Sequence, residues 1–360
     1  MDDRKRIAIL TSGGDCPGLN AVIRAAVAAA YNLNWEVIGF VDGFEGMLNP
    51  VRYRKLDARG CAGILSLGGT ILGTTNRGRF AGKVAEGQKA RVPDDIMLEA
   101  KRTLEGLGVS ATIVIGGDGS LTTAEQLQEW GMPVVGVPKT IDNDLSATAM
   151  TFGFDSATQV VCESLDRLHT TAASHRRVLV VEVMGRHAGW IALHGGVAGA
   201  ADAILIPEIP YSLEAICKFV DRRFEEGYLS TMIVVAEGAK PEGGDISLKG
   251  KGGTEHRLGG IGETLATQIM EETGRETRAV VLGHLQRGGQ PTTLDRMLGT
   301  RFGVAAVDLI REEKFGQMVS YQNYEIGSVP IAEAVGQLKT VNPAGQVVRI
   351  AKEIGIHFGQ

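Results

Sequence analysis

Short β-branched runs alternate with longer helical patterns along most of the 360 residues, and this alternation limits the possible folds more than any other feature. The runs are Arg6 to Leu10, Trp35 to Val41, Ala111 to Ile115, Val134 to Val137, Val178 to Val183, Ala203 to Ile206, Thr231 to Ala236 and Ala279 to Gly283. Gly18 to Tyr31 and Ser120 to Trp130 read as helices following the first and third of them. Parallel strands need crossover connections, and strands covered on both faces are apolar throughout instead of alternating. The expected fold is therefore α/β, with mostly parallel sheets sandwiched by helices. The chain is longer than one core usually serves, so two domains are expected. In such sheets ligands bind beyond the carboxyl ends of the strands, which directs attention to the loops that follow them.

Composition removes several classes of function. Hydrophobic residues at 44% and charged residues at 22% describe a soluble globular chain with ample core. A net charge of −5 offers no basic field for nucleic acid. The first apolar run, Ile7 to Leu10, is too short for a signal core or a membrane span. Cys16, Cys61, Cys162 and Cys217 are widely spaced and form no CxxC pair, so metal and redox motifs are absent. A reduced, cytoplasmic protein without nucleic-acid or membrane partners is expected. Lys240 to Gly260 is rich in Gly, Lys and Glu and reads as a mobile surface loop.

Three loops carry chemistry. Thr11-Ser12-Gly13-Gly14-Asp15-Cys16-Pro17-Gly18 follows a strand and opens a helix, which suits a phosphate or a tight turn alike. Ile115-Gly116-Gly117-Asp118-Gly119-Ser120 repeats the arrangement; Asp118 is either a Mg²⁺ carboxylate or a helix cap, and Ser120 adds a hydroxyl. Neither is a Walker A loop or a GxGxxG fingerprint, which disfavours a nicotinamide oxidoreductase. In the third, Pro138 leads into Lys139-Thr140-Ile141-Asp142-Asn143-Asp144. Two carboxylates beside a hydroxyl and an ammonium can deprotonate an alcohol next to a phosphate, although Asp-Asn-Asp also fills ordinary turns. Further on, His175-Arg176-Arg177, Met184-Gly185-Arg186-His187, Arg275, Arg278 and His284-Leu285-Gln286-Arg287 gather basic groups near strand ends. Arginine forks there fit a dianionic ligand, and each taken alone also fits a surface ion pair.

The segments LTSGGDCPGLNAVIR, IGGDGS, PKTIDND, VVEVMGRHAGW, AEG and GRETRAVVLGHLQRGGQPTTLDR occur in this order. With them the chain resembles the ATP- and pyrophosphate-dependent phosphofructokinase family from Ile7 to about Val319. The resemblance implies two similar α/β domains with the active site in the cleft between them. Residues 1-153 plus about 286-337 would bind the phosphoryl donor, and about 154-285 plus 338-360 the sugar phosphate. It also implies phosphoryl transfer from ATP to the 1-hydroxyl of fructose 6-phosphate in glycolysis, with Mg²⁺ as cofactor, by a homotetramer or homodimer.

Carried over by residue, the resemblance makes Asp142 the general base, with Thr140, Asp144 and Arg186 completing the catalytic set and Asp118 holding the metal. Gly14, Arg77, Gly117, Asp118, Gly119 and Ser120 would hold the nucleotide. Thr140, Asp142, Met184, Gly185, Arg186, Glu237, His284 and Arg287 would hold the sugar phosphate, and Arg177 and Arg278 would reach the sugar phosphate of a neighbouring subunit. ATP users in the family generally have Gly at the positions of Gly119 and Lys139, whereas pyrophosphate users tend to have Asp and Lys. A carboxylate at position 119 would crowd the nucleotide α-phosphate, so Gly119 points to ATP. Lys139 keeps pyrophosphate open as the alternative. A non-catalytic sugar-phosphate or nucleotide sensor is a further alternative, against which the intact Asp118, Thr140, Asp142 and Asp144 speak.

Overall fold

The computed structural model describes residues 4–75, 78–80, 91–244, 248–249 and 257–360. First along the chain come β1 (Arg6–Thr11), α1 (Leu19–Asn32), β2 (Glu36–Phe40), β3 (Tyr53–Leu56), α2 (Asp94–Gly106), β4 (Val109–Gly116), α3 (Asp118–Glu129) and β5 (Val134–Pro138). Next are α4 (Phe154–His175), β6 (Val178–Val183), α5 (Trp190–Ala198), β7 (Ala203–Leu205), α6 (Leu213–Glu225) and β8 (Thr231–Ala236). These lead to β9 (Leu248–Lys249), β10 (Arg257–Leu258), α7 (Ile261–Thr273) and β11 (Thr277–Val281). The last are α8 (Thr293–Arg311), β12 (Gln317–Gln322), β13 (Glu325–Pro330), α9 (Ile331–Ala334) and α10 (Gln346–Glu353).

The chain divides into two compact units. The first comprises Met1–Ile141, Leu145–Asp155 and Arg287–Leu338; the second comprises Asp142–Asp144, Ser156–Gln286 and Lys339–Gln360.

The first unit is built on a sheet ordered β13-β12-β5-β4-β1-β2-β3. Its five inner strands are parallel, as the alternating pattern predicts, and antiparallel β13 and β3 form the edges. Side chains of β1 alternate between the two faces. Ala8 and Leu10 join the cluster containing Met97 and Leu104 of α2 and Leu121 and Leu127 of α3. Ile7 and Ile9, equally buried, point to the opposite face, where α1 and α8 lie. Those two helices approach closely because α8 offers no side chain at Gly303. A Cβ there would stand 2.4 Å from the Val22 carbonyl oxygen of α1.

The second unit carries a four-stranded sheet, β11-β6-β8-β7, parallel throughout. Val178, Val180, Ile233 and Val235 pack one face against Ile216 and Val220 of α6 and Leu265 and Ile269 of α7. Helix α5 packs near α4: a Cβ on Gly195 would meet Val161 at 2.7 Å. Within Lys240 to Gly260, read above as a loop, the described residues include an antiparallel two-residue ladder of β9 and β10.

One polar group interrupts the apolar run of β6. The buried Glu182 carboxylate accepts from the backbone N–H groups of Gly260 at 3.0 Å and Gly262 at 2.9 Å, where α7 begins. A carboxylate suits a helix N-terminus, where unpaired N–H groups and the dipole favour negative charge. Glu182→Ala strands those N–H groups and is expected to cost about 2–4 kcal/mol, read as a lowered midpoint in urea unfolding. A midpoint equal to that of the parent protein refutes this account of the α7 start.

Candidate phosphoryl-transfer site

Strands β1, β4 and β5 are neighbours in the first sheet, so the loops at their carboxyl ends lie side by side. The Ser12 N–H donates to the Ile115 carbonyl at 3.0 Å, and the Lys139 N–H to the Gly116 carbonyl at 2.9 Å. Gly13 has φ 82° and Gly18 φ 105°, left-handed conformations that favour glycine. Helices α1 and α3 start at Gly18 and Gly117, and neither start carries a side-chain cap. A helix start without a side-chain cap, directly after a glycine turn, is the kind of terminus that phosphate-binding loops use.

Asp118 and Ser120 occupy the first turn of α3, with Asp118 partly exposed and Ser120 buried. Gly119 is exposed, and a Cβ built there meets nothing within 4 Å. Gly117 is tighter, 3.2 Å from the Lys139 carbonyl oxygen by the same construction. Lys139 itself is only 4% exposed, and its ammonium donates to the Gly14 carbonyl. Arg287 also lies over Gly14: its Nη1 donates to the Asp15 carbonyl at 3.1 Å and would stand 2.7 Å from a Gly14 Cβ. Cys16, in the same loop, is inert, because burial pushes its thiol up to about 12.

Thr140 belongs to the first unit, where its carbonyl accepts from Thr151 Oγ1 at 2.7 Å. Asp142, Asn143 and Asp144 belong to the second, in which Asp142 and Asp144 are partly exposed and Asn143 is buried. There the ends of β6 and β8 are tied together. The Glu237 N–H donates to the Val183 carbonyl at 2.9 Å, and the Gly238 N–H to the Gly185 carbonyl at 3.0 Å. Met184, Gly185, Arg186 and Glu237 therefore share one end of the sheet, with Arg186 exposed. His284 follows β11 at the same end and is also exposed. His187 lies below its ordinary value, chiefly through desolvation, with the Arg186 guanidinium adding to the fall and Asp144 opposing it.

Arg177 and Arg278 sit at the amino end of that sheet. Each pairs with Glu276 Oε1 at 2.8 Å, and Arg177 is the main cause holding that carboxyl below its usual range. Six residues of β6 separate Arg177 from Met184, about 20 Å of extended chain. Within one chain these two arginines are thus not brought beside Arg186. Arg77 lies outside the described residues.

Two residues of this region escaped the sequence reading. Gln286 is fully buried, and its Oε1 accepts from the Met184 N–H at 3.3 Å while its Nε2 donates to the Gly283 carbonyl at 3.1 Å. A glutamine inside a run of recognisable motif residues was its only signal. Lys339 donates to Asn143 Oδ1 from the far end of the chain, and no motif marks it.

Fold and loops together define the class: a two-unit α/β protein with glycine-rich loops at its parallel strand ends. The family described as phosphofructokinase matches residues 6–310, and the chain belongs to it. The ATP-dependent 6-phosphofructokinase of Chloroflexus aurantiacus is 51% identical over 356 residues, covering 99% of this chain and 98% of that protein. The pyrophosphate–fructose 6-phosphate 1-phosphotransferase of Streptomyces coelicolor is 50% identical over 359 residues, covering 98% and 100% respectively. The solved phosphofructokinase of Saccharomyces cerevisiae matches with a TM-score of 0.81 at 32% identity, over 92% of this chain and 45% of that one. Among the described residues no helix is long and apolar enough to cross a membrane.

Proposed function

We propose that the protein transfers the terminal phosphoryl group of ATP to the 1-hydroxyl of fructose 6-phosphate, giving fructose 1,6-bisphosphate and ADP as a cytoplasmic step of glycolysis. The observation that carries this reading is the end of β5, where Lys139 to Asp144 supplies a hydroxyl and two carboxylates directly after a strand whose next two neighbours in the sheet, β4 and β1, end in uncapped glycine loops. The first unit would bind ATP through Gly14, Gly117, Gly119 and Ser120. Met184, Gly185, Arg186, Glu237, His284 and Arg287 would hold the sugar phosphate.

In this mechanism Asp142 takes the proton of the 1-hydroxyl as its oxygen attacks, and Thr140 and Asp144 orient the reacting groups. Arg186 balances negative charge on the transferring group. Among the described residues no cluster of three or more potential metal ligands occurs. Mg²⁺ takes one or two carboxylates and completes its shell with water and phosphate oxygens. Asp118 would hold it, and the bound ion would neutralise charge on the phosphates. Arg177 and Arg278 would serve the sugar phosphate of a neighbouring subunit in a homo-oligomer, a role their place at the amino end of the second sheet supports.

Two observations support ATP as donor. The space beyond Gly119 is open, and the Lys139 ammonium is buried against the Gly14 carbonyl. Pyrophosphate is the second reading, favoured by the presence of Lys139 at all. Assays of the purified protein with Mg-ATP and Mg-pyrophosphate separately are expected to show turnover with ATP. Turnover with pyrophosphate alone overturns the choice of donor.

A further inference from the structure

After α9 the chain enters the second unit at Lys339, and each polar group of that residue is engaged by the Asp142 to Asp144 segment or by α5. Its backbone N–H donates to the Asp144 carbonyl at 2.8 Å, and its Nζ to Asn143 Oδ1 at 3.0 Å. Its carbonyl accepts from Trp190 Nε1 at 2.9 Å, and its Nζ stands 5.8 Å from the centre of the same indole. Two residues later the Val341 N–H donates to Glu208 Oε1 at 2.7 Å. That carboxylate also accepts from the Gly189 N–H at 3.0 Å, where α5 begins after the Met184 to Arg186 turn. Residues 339–341 thus strap the carboxylate-bearing segment to the helix that follows Arg186.

Asn143 is the point at which this strap matters. Its φ is 52°, in the left-handed region, which asparagine enters more readily than other non-glycine residues but which still disfavours a side chain and is kept when surrounding contacts favour it. Because it lies between Asp142 and Asp144, any relaxation of its backbone turns both carboxylates. We propose that Lys339 is a positioning residue for phosphoryl transfer, its ammonium holding Asn143 in the left-handed conformation so that Asp142 and Asp144 keep their working orientation. This rests on the reading of Asp142 as the base.

Burial lowers the Lys339 ammonium to about 8, with Asp144 opposing the fall. The titratable groups facing it are Asp144 and, on α5, His194, which is itself kept low by burial first and by Lys339 second. Glu208 faces the strap at Val341. Losing the ammonium charge weakens a charge-assisted hydrogen bond to Asn143. Turnover is therefore expected to decline as pH rises through the Lys339 value.

Steady-state kinetics of the full-length protein and of K339M, K339R, N143A, K339M/N143A and D142N test the proposal. K339M is expected to lower kcat about 10- to 100-fold with KM for ATP within about threefold, and to lose the alkaline decline. K339R keeps the charge and is expected to recover most of kcat, also without the decline. The double variant is expected to be no slower than the worse single, since both changes remove one contact. Independent, multiplying losses, a K339M kcat near that of the parent protein, or a K339R as slow as K339M each overturn the proposal. Where K339M does not fold, K339Q, which keeps a donor on a shorter stem, takes its place. Normal turnover by D142N brings down both the base assignment and the proposal; loss in D142N beside normal K339M brings down the proposal alone.

Discussion

Asp142→Asn is expected to leave fructose 6-phosphate binding within about threefold of the parent protein while lowering kcat by about 10²–10⁴. The amide has nearly the shape of the carboxylate and keeps an oxygen acceptor for a hydroxyl, so binding persists. It cannot take a proton, so the attacking oxygen must shed its own to water. Asp142 lies between buried Ile141 and buried Asn143, and the near-isosteric amide changes its side-chain volume little. Sugar-phosphate binding measured by calorimetry, beside single-turnover rates, separates the two effects. A variant with near-parental turnover removes Asp142 from the mechanism.

The second large effect is expected at Gly119. Gly119→Asp places a carboxylate in the open space beyond the first turn of α3, where the nucleotide phosphates would lie. At about 4 Å and an effective dielectric constant of about 20, two unit charges repel by about 4 kcal/mol. That corresponds to a fall of about 10³ in kcat/KM for ATP. Folding should hardly register the change, since the position is exposed and an acidic residue suits a helix start. Competition assays with ATP and pyrophosphate read the outcome, and an unchanged kcat/KM for ATP shows that the donor does not pass over Gly119.

Much of the fold was legible because buried parallel strands must be apolar on both faces. Arg6 to Leu10 and Val178 to Val183 were visible for this reason, and they appear as β1 and β6. The edge strands lack that signal. Tyr53–Leu56 carries Arg54 and Lys55 and is exposed except at Leu56, which hides it from a search for apolar runs. Charged residues there also blunt an edge that could otherwise pair with another chain. The β12 to β13 hairpin turns on Asn323 and Tyr324, both left-handed, without the glycine that usually announces such a turn. Its second strand, EIGSVP, is mostly exposed and ends in proline.

The loops of the candidate site were legible for a different reason. Gly13-Gly14 and Gly116-Gly117 are local, and each sits directly after an apolar run. The supports of those loops are not local. Lys339 reaches Asn143 across 196 positions, and Gln286 reaches Met184 across 102. No window of sequence contains both partners, so only the folded chain pairs them.

The two units interrupt each other along the chain, with changes of unit after Ile141, Asp144, Asp155, Gln286 and Leu338. A protein made of consecutive domains can fold its first one while the ribosome is still making the second. That order of events is closed here. When residue 286 has emerged, the first sheet still lacks β12 and β13, and the second unit still lacks the Lys339–Gln360 segment that carries the strap onto Asp144. Neither unit is a continuous stretch of chain: the first is complete only once Leu338 has emerged, and the second only once the Lys339–Gln360 segment has followed it.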